Sequence, residues 1–534
     1  MGSPSSERDN TLRSTADIGI DIDVTTTSTM KISQTVELLL LTFNCAKNLI
    51  DVPVFGAHLR GALEKDGGGA LPEVVVMSLQ EIAPLSYSFL GEWFLGPYYA
   101  AFGDALNLAV EQTGEKYTLV KAKNVGMTAL LVFSLRPEWL DLGGMREGEV
   151  GFGAADMGNK GAVGVRVAYA ADGTEFTFVA THLAAMEWNL KKRNKNWGGI
   201  VSGLTFEDPR GVVLPPGEGG PKVRGDRWSG AGERSAPGLE RGTGGFVDSS
   251  EEDEEGAPLI LSTSDAEEEE EEEGMPNLTK EQRAKLQEMS IFKPDSHLFV
   301  AGDLNYRISS TTPPPGSRFP SFDPSSEHHY STFFERDQLT QERLAGRTFH
   351  GMSEAEVGFG PTYKYNVLTD PTGAENEESV RQGSTVNGVK EVPWKFASHR
   401  WPAWTDRVLY SAAEGHEAGV ETVRYDSLPV VESSDHRAVF LRVRVPLTGA
   451  ARAQERTVKE RGETPELAEA AARRKELPVN IDVWSWERRQ KARRKELIVG
   501  MLALVWSTKE GAVFLGTVVT VGMGWWWFAR GGFV

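Results

Sequence analysis

The sequence predicts an α/β protein dominated by β-sheet, and three observations carry that prediction. Eight short apolar runs bounded by turn residues read as buried strands: VELLLLTF, EVVVMSL, TALLVFSL, GAVGVRVAYA, EFTFVATHL, HLFVAG, RVLYSA and AVFLRVRV. Amphipathic helical stretches are fewer, with GEWFLGPYYAAFGDALNLAVEQ and STFFERDQLTQERLAG the clearest. Several runs are separated by gaps too short for a crossover helix, which favours antiparallel neighbours.

In chain order, residues 1–33 are rich in Ser, Thr and Asp without apolar periodicity, and disorder is expected there. No apolar stretch follows the start, so no signal peptide is expected. MGSPSS fits the loose N-myristoylation pattern, as many unrelated sequences do. A folded domain is expected over 34–206 and 294–447. Between its halves, 207–293 are rich in Gly, Pro, Ser and acids, including the run Glu267–Glu273. Such a stretch cannot bury enough apolar surface to offset chain entropy, so a disordered insertion is expected, closed by a short helix over TKEQRAKLQEMS. Residues 311–328 and 367–390 read as further loops. A charged linker is expected over 448–496. There is no internal repeat.

Composition narrows the function classes. Forty per cent apolar residues and 14 tryptophans suffice for a large core in 534 residues. The single cysteine, Cys45, excludes an intrachain disulfide and suits the cytosol. The net charge of −19 is concentrated: residues 251–273 hold 13 acids and no Lys or Arg. This is not the basic balance of a nucleic-acid binder, and no nucleic-acid partner is expected. A monomer is expected.

The C-terminal part differs in character. Arg488–Lys495 holds six basic residues in eight, followed by the apolar runs Leu497–Thr508 and Gly511–Phe528. The second run would reach about 27 Å as a helix, enough for a bilayer core. Trp525, Trp526 and Trp527 fall where an interfacial aromatic belt would lie. A membrane anchor over 497–534 is therefore expected, against the alternative of a buried terminal helix. With so few residues after the span, insertion would follow synthesis. The expected location is the cytosolic face of an intracellular membrane, the endoplasmic reticulum first.

The polar residues at the ends of the strands point to chemistry. VELLLLTFN ends at Asn44, EVVVMSLQE at Glu81, EFTFVATHL carries His182, and HLFVAGDLN ends at Asp303 and Asn305. WTDRVLYS enters its strand through Asp406, and SSDHRAVFLRV through Asp435 and His436. Any one could be a turn residue or a satisfied core histidine. Six together imply one polar site on one rim of the sheets. Carboxylates, amides and two histidines without a cysteine cluster suit a hard cation such as Mg²⁺.

GDLNYRI, PAWTDRVL and SSDHRAV, preceded by SLQE, GNKGAV and THLAA, resemble the inositol polyphosphate 5-phosphatases of the endonuclease/exonuclease/phosphatase superfamily. The resemblance implies a four-layer α/β sandwich of two mixed sheets flanked by helices. It also implies hydrolysis of the 5-phosphate of phosphatidylinositol 4,5-bisphosphate with Mg²⁺. Glu81 and Asn44 would hold the metal, with Asp435 close to it. Asp303 would orient and deprotonate the attacking water, with Asn305 fixing its geometry. His436, paired with Asp406, and His182 would contact the phosphoryl oxygens. Lys160, Tyr363, Lys364 and Arg400 match positions that grip the neighbouring 4-phosphate. Arg307 either assists with phosphate charge or forms a structural ion pair. The basic residue that the family carries two positions before Arg400 is Ser398 here, which favours a bisphosphate lipid over highly phosphorylated soluble substrates. The alternatives are a soluble inositol polyphosphate 5-phosphatase, another phosphodiesterase of the superfamily, or a scaffold without activity.

Overall fold

The computed structural model of the chain describes residues 35–64, 70–214, 278–368, 385–386, 389–390, 392–413, 419–447, 477–507 and 509–530. Fifteen strands are present among them: β1 (Thr35–Asn44), β2 (Val74–Gln80), β3 (Thr118–Val125), β4 (Thr128–Ser134), β5 (Arg146–Gly151), β6 (Gly161–Ala168), β7 (Glu175–His182), β8 (Ser296–Asp303), β9 (Tyr365–Val367), β10 (Thr385–Val386), β11 (Val389–Lys390), β12 (Trp394–Phe396), β13 (Asp406–Ser411), β14 (Glu421–Ser427) and β15 (Val439–Pro446). The helices used below are α1 (Val52–Leu63), α2 (Leu85–Leu90), α3 (Glu92–Val110), α4 (Leu190–Gly203), α5 (Arg210–Val213), α6 (Lys280–Met289), α7 (Tyr330–Phe334), α8 (Gln338–Leu344), α9 (Ser485–Ser507) and α10 (Lys509–Ala529).

All eight apolar runs are strands, and they assemble into two mixed sheets flanked by helices. The first sheet runs β14-β15-β1-β2-β4-β3 and the second β13-β8-β7-β6-β5. In each, one central pair is parallel, β1 with β2 and β7 with β8, while its other pairs are antiparallel. Side chains alternate across the sheet plane. Leu38 and Leu40 therefore face Phe178, Phe299 and Val408 of the second sheet. Leu39, Leu41 and Phe43 face outward onto Phe55 and Leu59 of α1 and Phe102 and Leu106 of α3. On the far side, α4 covers the second sheet with Trp197, Ile200 and Val201. Each central strand is buried on both faces, which is why it reads as a continuous apolar run.

Several expectations change. Helices α1 and α4 do not appear among the amphipathic stretches, and the run around 331–346 divides into α7 and α8 at Asp337, which caps α8 through Thr340 N. The expected insertion over 207–293 has folded edges, the far one being the closing helix expected over TKEQRAKLQEMS. Helix α5 and the Thr205↔Ser290 bridge lie at its near edge, and α6 with its Thr279–Gln282 capping box at the other. Residues 215–277, the first 34 residues and 448–476 lie outside the described residues. The end of the expected linker is not a tether: Ile481, Val483, Ala492 and Glu496 are buried against the domain. A membrane-spanning tail over 497–534 finds no support either. Among the described residues no helix is long and apolar enough to cross a membrane. In α10 the apolar run is diluted by four glycines and three tryptophans, and it begins on Lys509 and Glu510.

Candidate active site

Strand register assembles the rim. In the parallel β1–β2 pair Asn44 stands beside Gln80, so Glu81 follows directly next to Asn44. His182 is opposite Asp303 in the β7–β8 pair, and Asp406 is opposite Asp303 in the β8–β13 pair. Three side chains on adjacent strands are thus brought to one place by pairing alone. His436, just before β15, joins them.

The centre is Asp303. Its Oδ2 accepts from Asn44 Nδ2 at 3.1 Å and lies 3.2 Å from His182 Nε2 and 4.0 Å from His436 Nε2. Its Oδ1 accepts from the Asn305 amide at 3.1 Å. Burial pushes the Asp303 carboxyl up, but the His182 hydrogen bond and the charges of His182, His436 and Lys160 outweigh it and hold the group well below the usual carboxylate range. Lys160 Nζ is 2.5 Å from His182 Nε2. Lys160 therefore stands at the reacting centre itself.

His436 is set by its partner. Nδ1 is 2.9 Å from Asp406 Oδ2, which also accepts from the hydroxyls of Thr362 at 2.7 Å and Thr405 at 2.9 Å. Burial lowers the imidazole pKa, yet Asp406 and then Asp303 raise it more, to about 9. His436 is accordingly a cation at neutral pH, with Nε2 turned to Asp303. Tyr363 covers the ring at 4.5 Å between centroids.

Arg307 forms no ion pair among the described residues. Its Nε donates to the Asn305 carbonyl at 3.1 Å, Nη2 donates to Asn305 Oδ1, and the guanidinium lies over Tyr363 at 4.5 Å. It braces Asn305, which sits at φ 57°, in the left-handed region asparagine tolerates. Nη1 of Arg307 is buried without a partner.

Glu81 occupies a strained backbone position, φ 45°, and its carboxylate is partly exposed with Lys47 Nζ 3.9 Å away. Asn44 Oδ1 accepts from Ala46 N at 3.0 Å and keeps a second lone pair. This oxygen pair at one rim fits a hard divalent cation. Asp435 does not stand with them as a bare donor; its carboxylate pairs with Lys364 at 3.3 Å. A second oxygen-rich group exists in Asp303, Asp406 and His436, whose ligand atoms lie within 4.8 Å of one another. Arg400 is turned to the loop after β7, with Nε 3.6 Å from Glu187 Oε1.

Two contributors escape sequence reasoning. Thr362, in PTYKY, orients Asp406 and accepts from the Asp406 amide at 3.2 Å. Arg407, next to Asp406, is fully buried and holds Glu354 through two bonds of 2.6 and 2.7 Å and Asp337 at 3.0 Å. The motif position signals both, though not their roles.

A strand-end centre of two carboxylates, two histidines and adjacent cations between two mixed sheets is the equipment of a metal-assisted phosphohydrolase. Residues 41–442 match the Endonuclease/Exonuclease/phosphatase family 2, and the chain belongs to this family. Type IV inositol polyphosphate 5-phosphatase 11 of Arabidopsis thaliana is 35% identical over 140 residues, covering 26% of this chain and 34% of that protein. Polyphosphatidylinositol phosphatase INP53 of Saccharomyces cerevisiae is 25% identical over 384 residues, covering 71% and 24%. The chain thus spans about a third or less of the length of these curated relatives. Among solved structures, the inositol polyphosphate 5-phosphatase domain of SpSynaptojanin, in complex with inositol (1,4)-bisphosphate and calcium ion, is similar at 19% identity. That match covers 80% of this chain and 93% of that one, with a TM-score of 0.47.

Proposed function

We propose that the chain is a Mg²⁺-dependent phosphoinositide 5-phosphatase that converts phosphatidylinositol 4,5-bisphosphate to the 4-phosphate lipid and inorganic phosphate. The observation that carries this reading is the convergence of Asn44, His182, Asp303, Asp406 and His436 in one hydrogen-bonded centre at the rim.

Asp303 supplies a fixed anion to orient water and draw its proton, held by Asn44 and by the Asn305 amide. His436, kept cationic by Asp406, and His182 with Lys160 supply positive charge where phosphoryl oxygens gather charge in the transition state. Glu81 and Asn44 would hold Mg²⁺, which when bound polarises the scissile phosphate and offsets charge on the leaving oxygen. Lys364, beside Asp435 and 5.7 Å from the Tyr363 ring centre, is the cation assigned to the 4-phosphate. Arg400 is assigned to the same phosphate from the opposite loop.

Membrane action is part of the reading. Leu497, Ile498, Met501, Leu502 and Trp506 are exposed on α9, beyond the exposed Arg488, Lys491, Arg494 and Lys495. Apolar and basic residues in this order suit attachment to an anionic lipid surface. The location we propose is the cytosolic face of an intracellular membrane.

The test is phosphate release from short-chain 5-phosphorylated phosphoinositides and soluble inositol phosphates, with and without EDTA. Release from the 4,5-bisphosphate lipid that EDTA abolishes is expected. Release only from soluble inositol phosphates would replace the lipid substrate, and EDTA-insensitive release would overturn the metal requirement.

A further inference from the structure

Helix α9 docks through a stripe of residues three and four apart: Ser485, Arg489, Ala492, Glu496 and Gly500, all buried. Besides β5, α4 and Thr205, it touches two rim segments. One is α2, which follows Glu81; an ideal Cβ at Gly500 would stand 2.9 Å from Phe89 Cβ, and Arg493 Nη1 donates to the Phe89 carbonyl at 2.8 Å. The other is the loop before β6. There the Gly158 amide donates to Glu496 Oε1 at 2.7 Å.

Glu496 is fully buried. Arg489 donates to its two oxygens at 2.5 and 2.9 Å and reaches Glu149 of β5 at 2.8 Å; Arg493 stands 3.3 Å away. The opposite side of Gly158 is pinned as well. Its carbonyl accepts from Met127 N at 3.1 Å, and an ideal Cβ there would lie 2.8 Å from Gly126 N. Two residues further on is Lys160, against His182 and so against Asp303. If α9 were held only for packing, apolar residues of similar volume would serve at least as well as a buried ion cluster. A carboxylate does what they cannot, which is to accept from a loop amide.

We propose that Glu496 is a positioning residue for the active site: by holding the Gly158 amide, α9 fixes the 153–160 loop and places the Lys160 ammonium at the reacting phosphate. The proposal rests on the phosphatase reading for its kinetic test, and a second readout is independent of activity.

In the full-length chain, Glu496→Ala should lower kcat/KM on dioctanoyl phosphatidylinositol 4,5-bisphosphate with Mg²⁺ by roughly ten- to a hundredfold, the scale of a displaced catalytic group. Glu496→Gln keeps an acceptor for Gly158 N and should recover kcat/KM to within about threefold of the parent, the loss of the buried Arg489 pairing falling on stability and not on turnover. Because Glu496 acts through Lys160, adding Glu496→Ala to Lys160→Ala should cost less than about twofold more, whereas independent residues multiply their losses. Hydrogen exchange of the 150–165 peptide should quicken in Glu496→Ala while the β7 and β8 peptides stay protected. Should Glu496→Ala fail to fold, Arg489→Leu/Glu496→Leu removes both charges and carries the same expectations. Multiplied losses in the double variant, or unchanged exchange at 150–165, overturn the proposal. A parent without activity together with local quickening at 150–165 rejects the phosphatase reading and leaves the positioning contact standing.

Discussion

Asp303 is surrounded by groups that keep it ionised, so its contribution is a placed negative charge. Asp303→Asn preserves size and removes that charge. Its kcat should fall by about 10²–10⁴ with secondary structure unchanged in circular dichroism. Turnover within a few-fold of the parent would remove Asp303 from the mechanism. Lys364 makes a different kind of claim. Lys364→Ala should damage hydrolysis of a 4,5-bisphosphate lipid more than that of a lipid with only the 5-phosphate, because a charge-assisted contact contributes about 1.5–3 kcal/mol. Equal losses on the two substrates would assign the lysine to the fold or to the scissile phosphate. Arg407 belongs to the same motif as Asp406 but is structural. Arg407→Leu leaves Asp337 and Glu354 as buried unpaired carboxylates, and the domain should lose about 3–5 kcal/mol of stability in denaturant melts.

At the level of elements, eight of the fifteen described strands are readable, and the helices α1, α2, α4, α5 and α9 are not. Continuous apolar runs identify β1, β2, β7 and β8 because both faces of each are covered, and the polar residues at their ends identify the rim. Register alone explains why those ends meet, and register is not visible in one strand. Helix α1 carried a usable cue in Asp51, whose side chain accepts from Val54 N, with a proline in its first turn. Helix α4 buries Arg193 and Asn196 along with Trp197, and α9 buries Arg489 and Glu496, so charges on the inward face obscure the helical period. For Glu496 burial raises the carboxyl pKa, but Arg489 and the Gly158 amide more than compensate, and the group lies below its ordinary value of 4.5. A depressed carboxylate stabilises the fold above its unfolded pKa and loses that contribution as pH falls through the folded value. The melting advantage of the parent over Glu496→Gln should therefore be present at pH 7 and vanish under acid conditions. An advantage that persists in acid would mean packing alone is responsible.

For the whole molecule, α9 joins two tasks that the sequence presents as separate. A chain ending after Gly500 keeps the docking stripe and should keep turnover on a short-chain lipid, while its attachment to anionic vesicles weakens to the salt-sensitive part that Arg488, Lys491, Arg494 and Lys495 supply. A chain ending after Arg488 removes Arg489 and Glu496 and should lose activity as well. Vesicle flotation measures the first effect and phosphate release the second. Each basic residue near an anionic surface contributes about 1 kcal/mol. Attachment of the full chain should accordingly weaken as salt is raised, and resistance to both salt and alkaline carbonate would instead indicate an integral tail.

The two halves of the site should part company on warming. His182, Asp303 and Asp406 face one another through ladder positions of β7, β8 and β13, so they separate only when the second sheet opens. Lys160 depends in addition on a contact with a residue 338 positions from Gly158, on a helix at the surface. Contacts of that kind open locally before the core does. On warming, kcat should first fall as the Lys160 ammonium loses its placement while the β7 and β8 peptides stay protected from exchange, and the remaining activity should collapse only at the melting transition. The early fall in kcat would then serve as a thermometer for the C-terminal helix, and exchange of the β7 and β8 peptides as one for the sheets.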